Sequence, residues 1–162
     1  MIAEIEKASK EEMKVFQEEK LIEMLRYLQG NSPFYQSFFI KNNIDVSEIQ
    51  TLEDLHKIPV TTKDHLQKFN DDFICVPKSE IIDYVTTSGT LGDPVTFALT
   101  DKDLERLAYN EAISFACCGV GKEDTLQLMT TMDRRFMAGL AYFLGARKLG
   151  SGIIRVGSGI PE

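Results

Sequence analysis

Between Asp83 and Thr100 the chain reads DYVTTSGTLGDPVTFALT, and this stretch concentrates groups able to hold an anion. Four hydroxyl side chains, Thr86, Thr87, Ser88 and Thr90, surround Gly89 and Gly92, and Asp93-Pro94 closes the segment. Successive backbone N–H groups from Ser88 to Gly92 can form a concave nest for phosphate oxygens. The hydroxyls of Thr87, Ser88 and Thr90 add donors, and the glycines allow positive φ and close approach. The competing reading is a decorated hairpin turn, and on chemistry alone the two stand level. The Walker pattern is absent, because it needs G-x4-G-K-[ST] and here Asp93 follows Gly92. The dinucleotide pattern G-x-G-x-x-G is absent too, both here and in the tail Gly157–Glu162, which lacks the third glycine.

The elements on either side decide how such a loop is held. Ile81–Thr87 and Val95–Thr100 read as strands joined by the loop. Thr100-Asp101 opens a helix that ends at Gly119, Thr125–Thr131 reads as a third strand, and RFMAGLAYFLGARKLG as a helix closed by Gly150. Gly152–Gly157 is the fourth strand. Strands alternating with helices argue for a parallel βαβ layer. Upstream, Met13, Phe16, Leu21, Met24, Leu25 and Leu28 recur at roughly helical spacing and Gly30-Asn31 supplies a stop. Pro33 then fits the first turn of a second helix. Thr51, and Thr61 or Thr62, each suit a helix cap, with Pro59 between them. The expected fold class is α/β: a helical region over 1–75, then a continuous α/β portion over 76–162 with a β-hairpin, the phosphate loop and an incomplete parallel sheet. The chain stops at Pro161-Glu162 just after a strand of buried type, which leaves apolar surface open on one face. The expectation is that it is the front part of something longer.

Composition narrows the function classes. With 43% hydrophobic and 27% charged residues in 162, the chain has ordinary globular material for one domain or one piece of a larger one. Its formal charge of −7, with no basic cluster, argues against nucleic acid and against an anionic membrane surface. No apolar run approaches the ~20 residues of a membrane helix. The charged N-terminus MIAEIEKASKEEMK lacks a signal peptide's apolar stretch, so a cytoplasmic protein is expected. Cys75, Cys117 and Cys118 have no metal-site spacing and are expected to be buried thiols. His56 and His65 have no nucleophile near them and read as surface or capping residues. There is no G-x-S-x-G elbow, so an esterase reading has no nucleophile.

The stretch TTSGTLGDP resembles the phosphate-binding loop of the adenylate-forming enzymes, and further blocks resemble their phenylacetate–CoA ligase branch. These are LIEMLRYLQGNSPFYQSFF with its N-x-P-F-Y, TLEDLHKIPVTTKDHL, and FMAGLAYFLGARKLGSGIIRVGSG. They run in the family's order over nearly the whole chain. The resemblance implies ATP-dependent, AMP-forming activation of a carboxylic acid as an acyl-adenylate, followed by transfer to CoA, with ATP, Mg2+ and CoA as cofactors. Thr87, Ser88, Gly89, Thr90 and Gly92 match the loop and would grip the β- and γ-phosphates, with Thr90 nearest the Mg2+-bound phosphates. Asp93 stands where the family usually has Lys, and Leu91 where it has Thr or Ser. RFMAGL matches the family's F-x-G-G-L, which makes Phe136, Ala138 and Gly139 the expected wall of the acid pocket. By residue type alone Phe136 fits a helix core equally well. Some phenylacetate ligases carry an aromatic residue at the place held here by Thr131. Asp133-Arg134-Arg135 hints at a more polar acid, with Arg134 or Arg135 meeting a second carboxylate, although exposed arginines near a helix start are more often simply solvated.

The resemblance places the adenine and ribose motifs, the Mg2+-binding acid and the catalytic lysine downstream of Glu162, so the isolated chain is expected not to turn over. Two other outcomes remain open. An adenylating enzyme can pass the acyl group to a protein or amine instead of CoA. A truncated, non-catalytic module could bind a partner through the open sheet face, in a homodimer or hetero-complex.

Overall fold

The computed structural model describes residues 4–87, 94–157 and 159, which cluster in two compact units, Met1–Val76 and Pro77–Glu162.

In the first unit, α1 (Lys10–Asn31) begins with a reciprocal capping box: Ser9 N–H donates to Glu12 Oε2 at 2.8 Å and Glu12 N–H to Ser9 Oγ at 3.2 Å. The helix runs through Gly30 before stopping, and α2 (Pro33–Lys41) follows with Pro33 in its first turn. Ser32 joins the two. Its N–H donates to Leu28 O at 3.0 Å, its hydroxyl accepts from Tyr35 N–H at 3.3 Å, and the same hydroxyl donates to Asp72 O at 3.2 Å. The side of α2 that carries Phe38 and Phe39 meets Leu25 of α1, Val46 and Ile49 in the unit's core. Thr51 caps a 3-10 turn (Leu52–Lys57) rather than an α-helix, and Thr62 caps the short α3 (Lys63–Lys68). The His65 ring takes the Thr62 N–H at 3.1 Å and completes that capping box.

The second unit opens with an antiparallel pair, β1 (Ile81–Thr86) and β2 (Thr96–Thr100), in which Thr86 pairs with Thr96 and Tyr84 with Ala98. Thr100 caps α4 (Asp101–Cys117) together with Asp103, whose carboxyl lies below its usual range. Partial burial raises that group, but hydrogen bonds from the Thr100 N–H and hydroxyl outweigh it and lower it. Next come β3 (Thr125–Leu128), α5 (Met137–Leu149) and β4 (Gly152–Arg155). The last strand lies parallel to β3, with Thr125 opposite Gly152 and Leu128 opposite Arg155, so the expected βαβ unit is present. Helices α4 and α5 pack through small buried residues, Ala108 and Ala112 against Ala141, Gly145 and Ala146. A side chain at Gly145 would strike Glu111. Gly150 ends α5 at φ 88°, the left-handed cap that glycine adopts without strain. Met129, Ile154 and Val156 are exposed at the parallel pair. No helix among the described residues is long and apolar enough to cross a membrane.

Three expectations need correction. Cys117 and Cys118 are exposed, because they fall at the end of α4 where the chain leaves the helix pair, and only Cys75 is half-buried. Burial pushes the Cys75 thiol's pKa up. The third strand ends at Leu128 instead of Thr131, and Thr131 and Asp133 form a turn in which Asp133 N–H donates to Thr131 Oγ1 at 3.3 Å. The helix after it starts at Met137, because Arg134 and Arg135 occupy the left-handed region at φ 54° and 60°.

Candidate functional site

The hairpin closes at its base through Thr87. Its N–H donates to Val95 O at 3.0 Å, and Val95 N–H donates back to Thr87 Oγ1 at 3.0 Å. Thr87 thus continues the ladder one step beyond β1 and fixes the distance between the two ends of the glycine loop. Its oxygen is committed as an acceptor, while its O–H can still donate. Ser88, Gly89, Thr90 and Gly92, with Leu91 and Asp93, lie outside the described residues. Among the described residues no group of three His, Cys, Asp or Glu side chains could hold a metal ion.

A second contact ties this hairpin to the segment before α5. Thr86 N–H donates to Arg135 O at 3.1 Å. The root of the loop and the expected acid-pocket wall are therefore neighbours, although 49 positions separate Thr86 from Arg135 (135 minus 86). Phe136 is the residue just before α5 rather than part of its core face, and it is 44% exposed. Ala138 is half-buried in the first turn. Gly139 is buried, and the space a Cβ would take there is filled by the Thr131 carbonyl. Its small size thus admits backbone from the Thr131–Met132 turn. That turn in turn sets where Phe136 emerges.

Beyond the ends of β3 and β4 lies an open crevice of about 530 Å³. Open parallel sheets hold ligands at this place, outside the carboxyl ends of the strands. Thr130, Thr131, Met132, Asp133, Arg155 and Gly157 line it. The Thr131 hydroxyl donates to Asp133 Oδ1, which fixes that carboxylate on the turn. The Arg155 guanidinium sits over the Phe143 ring at 5.5 Å from its centroid, a cation–π contact that leaves its N–H donors available. Thr130 Oγ1 is buried with no hydrogen-bond partner among the described residues. Arg134 and Arg135 are exposed and do not line the crevice. Sequence motifs do not point to Thr130 or Arg155. The signal for them is positional: each lies at or just past the end of a parallel strand, and that is visible only once the strand ends are known.

No family model matches the chain. The phenylacetate–coenzyme A ligase of Escherichia coli (strain K12) is 29% identical over 159 residues, covering 98% of this chain and 36% of the relative. That of Aromatoleum evansii is 30% identical over 159 residues with the same coverage. A 2-hydroxyisobutyryl-CoA ligase, solved with 2-HIB-AMP and CoA in the thioesterification state, superposes with a TM-score of 0.85 at 25% identity, over 94% of this chain and 33% of that one. Over nearly its whole length the chain is thus similar to part of the phenylacetate–CoA ligases. Its α/β fold matches the N-terminal region of such a ligase, and it spans about a third of the length of the curated relatives it matches.

Proposed function

We propose that the chain is the part of an AMP-forming acyl- or aryl-CoA ligase that grips the pyrophosphate end of ATP and forms one wall of the acid pocket. The observation that carries this reading is the Thr86–Arg135 hydrogen bond, which joins the loop to the Phe136 segment. In such a ligase the acid carboxylate attacks the α-phosphorus of ATP, pyrophosphate leaves, and the CoA thiolate then displaces AMP. The chain's contribution is positional and electrostatic, since departing pyrophosphate gathers charge that preorganised N–H and O–H donors can stabilise. Thr87, Ser88, Gly89, Thr90 and Gly92 are the proposed phosphate ligands. Hydroxyl and N–H donors suit phosphate oxygens rather than a bare metal, so Mg2+ is proposed to arrive with the polyphosphate, nearest Thr90, and to neutralise part of its charge. Phe136 and Ala138 are proposed to face the acid, with Gly139 admitting the turn that holds them.

The cytoplasm, where ATP and CoA are found, is the proposed location. The test is carboxylate-dependent exchange of pyrophosphate into ATP by the intact protein, run with a panel of acids. Exchange is expected, and CoA consumption then separates a CoA ligase from an enzyme that acylates a protein or an amine. No exchange with any acid overturns the ligase reading. The exposed Met129, Ile154 and Val156 favour a second reading, a binding module whose partner covers them. That reading requires a stable complex and no rise in melting temperature with ATP.

A further inference from the structure

The first unit contains a cavity of about 340 Å³ that shares no residue with the loop or the crevice, so its ligand chemistry is independent of the ligase reading. One wall is the face of α2 that repeats at helical spacing: Phe34, Ser37, Phe38 and Lys41. The other wall is Pro59 and Val60, followed by His65 of α3, Phe69 and Asp72.

Its chemistry is specific. Phe34 and Phe38 stack with centroids 5.4 Å apart, Phe69 lies 5.8 Å from Phe34, and the His65 ring is 5.7 Å from Phe34. Together these rings make an aromatic wall for a planar guest. The His65 Nδ1 accepts the Thr62 backbone N–H, which can only donate, so the ring's proton is on Nε2 and that nitrogen is the donor left over. Asn42 Nδ2 is committed to Phe38 O at 2.8 Å, which leaves its carbonyl as an acceptor. The rim carries one charge of each sign, Lys41 and Asp72, and neither forms an ion pair among the described residues. A carboxylate guest gains from Lys41 but is opposed by Asp72, and an ammonium guest meets the reverse. A guest with one acceptor and one donor and no net charge satisfies both. A cavity of ~150 Å³ takes benzene, and small-molecule sites begin near ~300 Å³, so there is room for one ring and a short polar group.

We infer that this cavity is a binding site for a small uncharged aromatic carboxamide. The ring lies against Phe34, Phe38 and Phe69. The carbonyl accepts from Lys41 or His65 Nε2–H, and the amide N–H donates to Asp72.

The probe is benzamide, titrated into the 162-residue chain and followed by ligand-observed NMR, with benzoate and benzylamine as charged controls of similar shape. Benzamide is expected to bind with a millimolar Kd, and each control at least about threefold more weakly, since one rim charge opposes it. Val60 is 80% exposed, so Val60→Trp keeps the fold and closes the mouth; benzamide binding should disappear. Asp72→Asn, also at an exposed position, should weaken benzamide and strengthen benzoate. The inference is overturned if benzamide does not bind at millimolar concentration, if either control binds as tightly, if Val60→Trp binds unchanged, or if Asp72→Asn moves the two ligands the same way.

Discussion

The Thr86 N–H donates to the carbonyl oxygen of Arg135 at 3.1 Å, and Arg135 itself holds a left-handed φ of 60°. A non-glycine residue in that region stores strain unless its surroundings impose it. Here the bond to β1 supplies one restraint, and the Phe136 N–H, donated to Asp133 O at 3.1 Å, supplies another. Arg134 shares the conformation at φ 54°. Replacing Arg134 with Gly should relieve strain without touching the Thr86 bond, and is expected to raise stability by about 0.5–1 kcal/mol net of the entropy glycine adds to the unfolded chain. Urea unfolding of the two chains measures this, and a fall in midpoint would show that the turn imposes no strain at Arg134.

Gly139 gives the opposite sign. A methyl group there meets the Thr131 carbonyl, which is backbone and gives way only if the whole turn moves. Gly139→Ala is expected to cost about 1–3 kcal/mol despite alanine's better helix propensity. On the proposed reading the turn also orients Phe136, so the variant of the intact protein should lose affinity for the acid more than for ATP. A neutral or stabilising result in denaturant would remove the argument that this glycine admits the turn.

Ser32 is completely buried and serves both helices and the Asp72 carbonyl through one hydroxyl and its own N–H. Ser32→Ala removes the cap of α2 from a fully buried position and takes away the hydroxyl that donates to the Asp72 carbonyl. The expected loss is about 1–3 kcal/mol, more than an exposed cap costs. Denaturant midpoints decide it, and a loss under about 0.5 kcal/mol would mean water replaces the hydroxyl.

Asp54 makes the first unit sensitive to acid. Lys57 Nζ at 2.7 Å, the N–H groups of Gln50 and Thr51, and the Thr51 hydroxyl all stabilise its charged form and hold its pKa far below the usual carboxylate range. A folded pKa below the unfolded one gives stability that is present above the unfolded value, about 3.9, and is lost as pH falls through the folded value. Asp54→Asn should therefore melt lower than the parent at neutral pH, and the gap should close as pH drops below about 4. A gap that stays constant with pH would assign the effect to hydrogen bonding alone.

How much of the fold is legible in the sequence depends on the range of each interaction. Caps at Thr62 and Thr100, Pro33 in a first turn and Gly150 at a helix end are local, so residue type and spacing expose them. The parallel pairing of β3 with β4 is also legible, because a helix between two strands leaves little alternative. The early end of β3 is not. It depends on Thr131 packing against Gly139 eight positions later and on the left-handed Arg134 and Arg135, residues whose types favour helix. Exposure of Cys117 and Cys118 is hidden for a similar reason: only the packing partner of α4 shows which of its ends is covered. The crevice residues Thr130 and Arg155 come from different strands, and no single stretch of sequence places them together.

The loop offers the sharpest functional prediction. Asp93 stands where the family's loop usually carries a lysine, so on the proposed reading a carboxylate lies close to the polyphosphate. Two like charges about 4 Å apart repel by ~1 kcal/mol even at the dielectric of water. Asp93→Lys removes that repulsion and adds attraction, which is expected to tighten ATP binding by the intact protein by about tenfold. Thr87→Val should act the other way through geometry: it removes the oxygen that accepts the Val95 N–H and loosens the base that holds the loop ends together. ATP-induced shifts in melting temperature measure both variants, since a ligand at 100 times its Kd stabilises by about 2.7 kcal/mol. If Asp93→Lys leaves the shift unchanged while Thr87→Val abolishes it, Asp93 points away from the phosphates and only shapes the turn before Pro94. If neither variant alters a clear shift, the nucleotide is held elsewhere and the loop is a hairpin turn after all.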